Sequence, residues 1–179
     1  TTLDVSTNTA LTDLDCSSNQ LTNLDVSTNT ALTDLDCDYN QLTSLDVSQN
    51  TALIWLNCYS NQLTNLDVST NTALTVLYCQ LNQLTTLDVG NGNNTILLDF
   101  SASNNPNLYC IDVDDVAYST ANWTVSNGNI DAQHYFSTDC SVTVIDEIIN
   151  HKELLKIIDV LGRETKSHPL FYIYDDGTV

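Results

Sequence analysis

Basic side chains are nearly missing from this chain: 4 Lys and Arg stand against 23 Asp and Glu in 179 residues, a net charge of −19. Such a surface repels phosphate backbones and anionic headgroups, so nucleic acid and acidic membranes are excluded as partners, leaving cations or neutral molecules. The four bases, Lys152, Lys156, Arg163 and Lys166, fall in one fifteen-residue stretch, whereas residues 1–140 hold sixteen Asp, no Glu and no base. That body cannot form Lys or Arg salt bridges. Its polar groups must be satisfied by neutral side chains, backbone and water, which suits a wet extracellular setting. The change near residue 141 marks a segment boundary.

Other absences narrow the field further. No run of about 20 apolar residues could form a membrane helix, and the start has no charged, then apolar, then small-residue leader pattern. The chain opens inside a repeat, at "TTLDVS", which predicts that a leader and a polar N-terminal cap lie outside this sequence. His134, His151 and His168 make no HxxxH or HExxH pattern, and there is no G-x-S-x-G elbow or Gly-rich phosphate cradle. A non-enzyme is expected.

What is present is a repeat. Leu3, Leu24, Leu45, Leu66 and Leu87 each open "LDV" at a spacing of 21, and Cys16, Cys37, Cys58 and Cys79 keep the same spacing. A second period is nested inside, because "LTDLDCSSNQ" and "LTNLDVSTNTA" are versions of one pattern, L-x-x-L-x-(C/V)-x-x-N. The L-x-C and L-x-V triplets alternate inward and outward as short strands do, and Asn leaves each strand. Stacked in register about 4.8 Å apart, such strands make a mainly β, right-handed solenoid with parallel ladders on two sides. Its core is expected at Leu11, Leu14, Cys16, Leu21, Leu24, Val26 and Ala31 and their counterparts in later coils.

This wording, "LxxLxC…NxLTxLDVSxNT", resembles leucine-rich repeats of the nested 21-residue type, the IRREKO class, as found in internalin J-like bacterial surface adhesins. The resemblance covers residues 3 to about 89 and fades by 113. It implies a secreted or cell-surface protein that binds rather than catalyses. The expected domains are a leucine-rich-repeat solenoid at 1–105, a C-terminal cap at 106–140 and a separate segment at 141–179. Cys110 and Cys140 leave the 21-residue register, and two leftover cysteines in a secreted chain most often pair, so a disulfide closing the cap is expected. Segments like this one follow the repeats of flavobacterial leucine-rich-repeat proteins. The last segment, with "DVLGRE" and "PLFYIYDDGTV", resembles the sorting tails of Bacteroidetes proteins exported by the type IX system. A plain strand pair is the other reading of it.

The four in-register cysteines allow a buried thiol ladder, disulfides between coils, or a metal site. Parallel in-register side chains point the same way, which suits stacked thiols better than the disulfide torsion or converging zinc ligands. Asn8, Asn29, Asn50 and Asn71, and Asn19, Asn40, Asn61 and Asn82, read as corner residues bonding backbone groups. The column Asp4, Asp25, Asp46, Asp67 and Asp88 stacks like charges that repel by about 1 kcal/mol per neighbouring pair in high dielectric. Hydrogen bonds to nearby Ser, Thr and N–H groups answer that. Calcium along the column is the alternative, although no D-x-D-x-D-G loop supports it, and no other cofactor is expected.

Outward positions on the LDV side hardly change between coils and read as scaffold. The cysteine side varies, from Asp13, Asp34, Trp55 and Val76 in one slot to Asp15, Asp36, Asn57 and Tyr78 in the next. It places Tyr39, Trp55, Tyr59 and Tyr78 beside Asp34, Asp36 and Asp38. These residues, with Asn57, are the candidate ligand-binding set, for a surface glycan or an extracellular protein. Two rivals stay open: a structural spacer without its own ligand, and an ice- or mineral-binding array on the Thr and Ser ladders. The three carboxylates imitate a glycosidase site, but an open strand face lacks the apolar pocket that raises one pKa.

Overall fold

The computed structural model describes residues 1–141 in full and, beyond them, two strands. In chain order the strands are β1 (Thr2–Leu3), β2 (Asp13–Asp15), β3 (Asn23–Leu24), β4 (Asp34–Asp36), β5 (Trp55–Asn57), β6 (Asn65–Asp67), β7 (Val76–Tyr78), β8 (Thr86–Asp88), β9 (Asp99–Ser101), β10 (Cys110–Asp112), β11 (Tyr135–Ser137), β12 (Leu154–Ile158) and β13 (Phe171–Tyr174). Among the described residues there is one α-helix, α1 (Val116–Asn122), after β10, and a single 3-10 turn, Asn94–Ile96, before β9. The chain divides into two compact units, Thr1–Asp139 and Cys140–Val179. In the second, β12 and β13 pair antiparallel. The remainder of the proposed sorting tail lies outside the described residues.

The first unit is a parallel β solenoid. On the cysteine side β2, β4, β5, β7 and β9 form one continuous sheet in which Leu14, Leu35, Leu56, Leu77 and Phe100 stand in register. The LDV side is less regular than expected. It holds a β1–β3 pair and a separate sheet in the order β6, β8, β10, β11, and Ser44–Asp46 between them forms no ladder. The parallel stacking also runs past residue 105, since β10 and β11 extend the LDV-side sheet into the segment read as a cap.

Local hydrogen bonding explains why each coil closes. On the LDV side, Asn29 N–H donates to Val26 C=O (2.9 Å) and Leu32 N–H to Asn29 C=O (3.1 Å), two tight turns in sequence. On the cysteine side the corner residue has positive φ: Ser18 (53°), Tyr39 (46°), Ser60 (53°), Leu81 (54°) and Asn104 (58°). The left-handed conformation costs an L-residue on the order of 1 kcal/mol, so the Asn that follows each of them matters. Asn61, for example, donates from Nδ2 to Cys37 C=O (3.0 Å) in the preceding coil and Cys58 C=O (3.2 Å) in its own, and its Oδ1 accepts Leu42 N–H (2.9 Å). Asn40, Asn82 and Asn105 repeat the arrangement.

Six apolar side chains per full coil are buried, not seven. In the second coil they are Leu32, Leu35, Cys37, Leu42, Leu45 and Val47. The alanine slot, Ala31, is half-buried, because its methyl group sits at the corner where the chain turns off the LDV strand. Leu11 and Leu14 are half-buried as well, lying in the first coil of the stack, which has a neighbour on one face only. At the other end Trp123 fills the core beside Phe100 (ring centroids 4.4 Å apart) and Phe136 (5.8 Å). Helix α1, with Asp115 accepting Tyr118 N–H at its start, leads directly into Trp123.

The cysteines settle as free thiols, all four buried. Each donates weakly from Sγ to the backbone carbonyl of the next coil: Cys16 to Asp36 (3.4 Å), Cys37 to Asn57 (3.5 Å), Cys58 to Tyr78 (3.5 Å) and Cys79 to Ser101 (3.4 Å). Burial pushes Cys16 up to about 11 and Cys79 up to about 12, so the ladder stays protonated. Cys110 and Cys140 are disulfide-bonded.

Candidate functional site

The outward face of the cysteine-side sheet carries the residues the repeat comparison singles out. Strand β4 supplies Asp34 and Asp36, with Asp38 just beyond its end. Asp34 accepts the Thr33 hydroxyl (2.7 Å), and Asp36 Oδ1 accepts Asp38 N–H (3.1 Å). Asn57, on β5, is the one member of the set that the fold removes from the surface. It is only 8% exposed, because its Nδ2 tucks between the coils to bond Asp36 Oδ2 (3.3 Å) and Asp38 Oδ2 (3.1 Å), while its Oδ1 accepts Tyr59 N–H (3.1 Å). Asn57 therefore braces the carboxylates from below. Burial, followed by the charge of Asp36, raises Asp38 above its ordinary value, against the opposing hydrogen bond from Asn57.

The four aromatics form two pairs, not one cluster. Tyr39, 52% exposed at its positive-φ corner, meets Tyr59 edge to face at 4.9 Å, with its hydroxyl donating to that of Tyr59 (3.3 Å). Trp55 meets Tyr78 edge to face at 6.4 Å, and the Tyr78 hydroxyl donates to Asp99 Oδ2. That hydrogen bond, with burial and the charge of Asp99, pushes Tyr78 up to about 12. Edge-to-face pairs of this kind add about 0.5–1.5 kcal/mol each and hold the rings at fixed angles.

A shallow groove of about 330 Å³ opens beside Trp55, lined also by Asp13, Leu14, Asp15, Asp34 and Asp36. Reasoning from the sequence left Asp99, Ile54 and Leu98 out of the site. Ile54 is 44% and Leu98 78% exposed, and they continue the row begun by Thr12 and Thr33 just ahead of the strands. The signal for Ile54 was available, since an isoleucine replaces threonine in an outward slot. Leu98 follows the first coil that breaks the 21-residue count, so its slot could not be assigned.

The LDV face is uniform by comparison. Its aspartates bond the serine two residues on, as Asp4 to Ser6 N–H (3.0 Å), Asp25 to Ser27 (3.0 Å), Asp46 to Ser48 (2.9 Å) and Asp67 to Ser69 (2.8 Å), and Asp88 does the same with Gly90 (2.8 Å). These bonds lower Asp4, Asp25 and Asp46 from the usual carboxylate value, whereas burial raises Asp88. Among the described residues no group of three or more His, Cys, Asp or Glu is placed to hold a metal ion, and no helix is long and apolar enough to cross a membrane.

Compared with known proteins, the chain is similar to the functional domain of InlJ from Listeria monocytogenes, which includes a cysteine ladder. Identity is 51% over 63% of this chain and 22% of that one, with a TM-score of 0.49. The chain thus spans less than a quarter of the length of that structure. No family model matches, and no curated protein matches.

Proposed function

We propose that this chain is a binding module of a secreted or cell-surface protein, an adhesin-type solenoid that recognises an extracellular protein or a glycan through the outward face of its cysteine-side sheet. The observation that carries this is the pair of edge-to-face aromatic contacts, Tyr39–Tyr59 and Trp55–Tyr78, set on the side of the coil that varies while the other side repeats Asp and Ser. Rigid aromatic rings on a regular strand face offer large contact area at small entropic cost. The cysteine ladder behind them supplies a stiff, dry support. The similarity to InlJ agrees in repeat type.

The test is binding of the whole chain to a combined glycan and extracellular-protein array, beside a Trp55→Ala, Tyr59→Ala, Tyr78→Ala variant whose folding is checked by circular dichroism. A saturable hit that the variant loses supports recognition by this face. Equal binding by both proteins, or none, makes the chain a spacer that holds other domains away from the surface.

A further inference from the structure

The strand face is not uniform along the stack. In the first two coils its outward strand positions are all acidic, namely Asp13, Asp15, Asp34 and Asp36. In the next two they are Trp55, Asn57, Val76 and Tyr78, and the apolar character is extended by the exposed Ile54 and Leu98. The acidic half meets the apolar half at the groove of about 330 Å³ walled by Trp55. Within the groove, Asp15 and Asp34 each use one carboxylate oxygen internally, toward Ser17 N–H (3.0 Å) and the Thr33 hydroxyl (2.7 Å), whereas Asp36 uses both, toward Asp38 N–H and Asn57 Nδ2. Residues 1–140 hold no Lys or Arg to neutralise them.

Resting on the strand face as the binding surface, we infer that its ligand is a protein segment, not a glycan: an extended stretch with an arginine or lysine seated in the acidic groove against Trp55, and a large apolar side chain lying over Val76 and Leu98. Charge complementarity selects the cation. A guanidinium between paired carboxylates and an indole face gains both charge-assisted hydrogen bonds and cation–π attraction. Neutral sugars can donate hydroxyl hydrogen bonds to the carboxylates but bring no opposite charge, and sulfated or uronate-bearing chains are repelled. Geometry sets the spacing, because coils lie about 4.8 Å apart, so two to three coils separate the two subsites by about 10–15 Å. An extended chain covers that in about three to five residues.

The test is selection of a random peptide display library on the full chain at physiological salt, repeated on two charge-matched variants. One is Asp13→Asn, Asp15→Asn, Asp34→Asn on the groove; the other is Asp25→Asn, Asp46→Asn, Asp67→Asn on the opposite face. The expected result is a consensus with Arg or Lys about three to five residues from Leu, Phe or Trp. Synthetic consensus peptide then binds the parent and the opposite-face variant alike, and binds the groove variant at least tenfold more weakly. Replacing its Arg by citrulline should give the same loss. Enrichment of peptides without a base, no enrichment, or equal loss in both variants overturns the inference. A glycan hit on the array that the triple aromatic variant loses also overturns it, while leaving the strand face standing as the binding surface.

Discussion

The two sides of each coil are written in nearly the same words and behave differently. On the cysteine side the asparagines of the corners, Asn40, Asn61, Asn82 and Asn105, use both ends of the amide. On the LDV side Asn29, Asn50 and Asn71 donate from Nδ2 to two carbonyls of the preceding coil, yet each Oδ1 is buried without a hydrogen-bond partner. The ladder is unbroken where the amides are fully used and interrupted at Ser44–Asp46 where they are not. The better-braced side is the one whose outward residues vary. Asp15, Asp36 and Asn57 still make the same two-residue bond as the LDV aspartates, but the slot that holds Asp13, Trp55 and Val76 is asked for no such bond and is left to form a surface, whereas the LDV side repeats its Asp and Ser in coil after coil.

The sharpest way to break that contrast is to remove one amide from each side. Asn61→Ala leaves the Leu42 N–H buried without a partner and takes one of two amide donors from Cys37 C=O and Cys58 C=O, which keep Asn40 and Asn82, and should cost about 2 kcal/mol. Asn50→Ala takes one of two donors from Val26 C=O and Asn29 C=O, which keep the Asn29 and Leu32 N–H groups, and also deletes an unpartnered oxygen, so it should cost about 1 kcal/mol. Urea unfolding of both variants gives the order. If Asn50→Ala proves the more damaging, the LDV side is the better braced and the contrast is reversed.

A smaller effect distinguishes the core slots. Cys58 and Val68 occupy equivalent positions in the two half-turns, so exchanging their chemistry tests whether the thiol is required. Cys58→Val adds bulk to a fully buried slot and loses the Sγ contact to Tyr78 C=O, for an expected cost of about 1–2 kcal/mol. Val68→Cys only trims a buried side chain and should cost about 0.5–1.5 kcal/mol. The ladder also has an alkaline signature. Thiols raised above 9.0 in the folded chain contribute stability that is complete below 9.0 and is lost as pH rises through about 11 for Cys16 and about 12 for Cys79. Thiol labelling of the native chain should therefore be slow at neutral pH. Cys16, the least buried of the four at 6% exposed against 0% for the others, should react first as the solution is made basic.

Much of this was legible before any coordinates, for a reason that also marks the limit. A 21-residue period copies one local solution many times, so the inward Leu and Cys slots, the corner asparagines and the Asp–Ser bonds could be read from any one coil. What escaped depends on contacts between unlike coils. Asn57 occupies an outward slot by pattern, but it is buried because the coil before it offers two carboxylates to an amide. The positive φ at Tyr39 and Leu81 carries no glycine to announce it. The LDV interruption at Ser44–Asp46 has no marker in a coil whose wording matches its neighbours. Helix α1 and the Trp123 plug lie where the repeat has ended and periodicity offers no guide.

The finest comparison is in acid, where Asp38 on the cysteine side and Asp25 and Asp46 on the LDV side should act with opposite sign. Asp25 and Asp46, lowered by hydrogen bonds from Ser27 and Ser48, contribute stability that is present above 3.8 and is lost as pH falls through their folded values. Asp38, raised by burial and by Asp36, contributes stability that is complete below 3.8 and is lost as pH rises through its folded value. Acidification from neutral should thus first relieve the Asp36–Asp38 pair and only afterwards weaken the LDV column. Asp38→Asn should raise the urea midpoint slightly at neutral pH and abolish the early gain, while Asp46→Asn should leave that gain intact and flatten the later loss. Each variant removes one charge, so the relief of bulk self-repulsion is the same for both, and the difference between their pH profiles isolates the local bonds. Identical profiles would mean that net charge alone governs the acid response, and that the local bonds of Asp38 and Asp46 do not shape it.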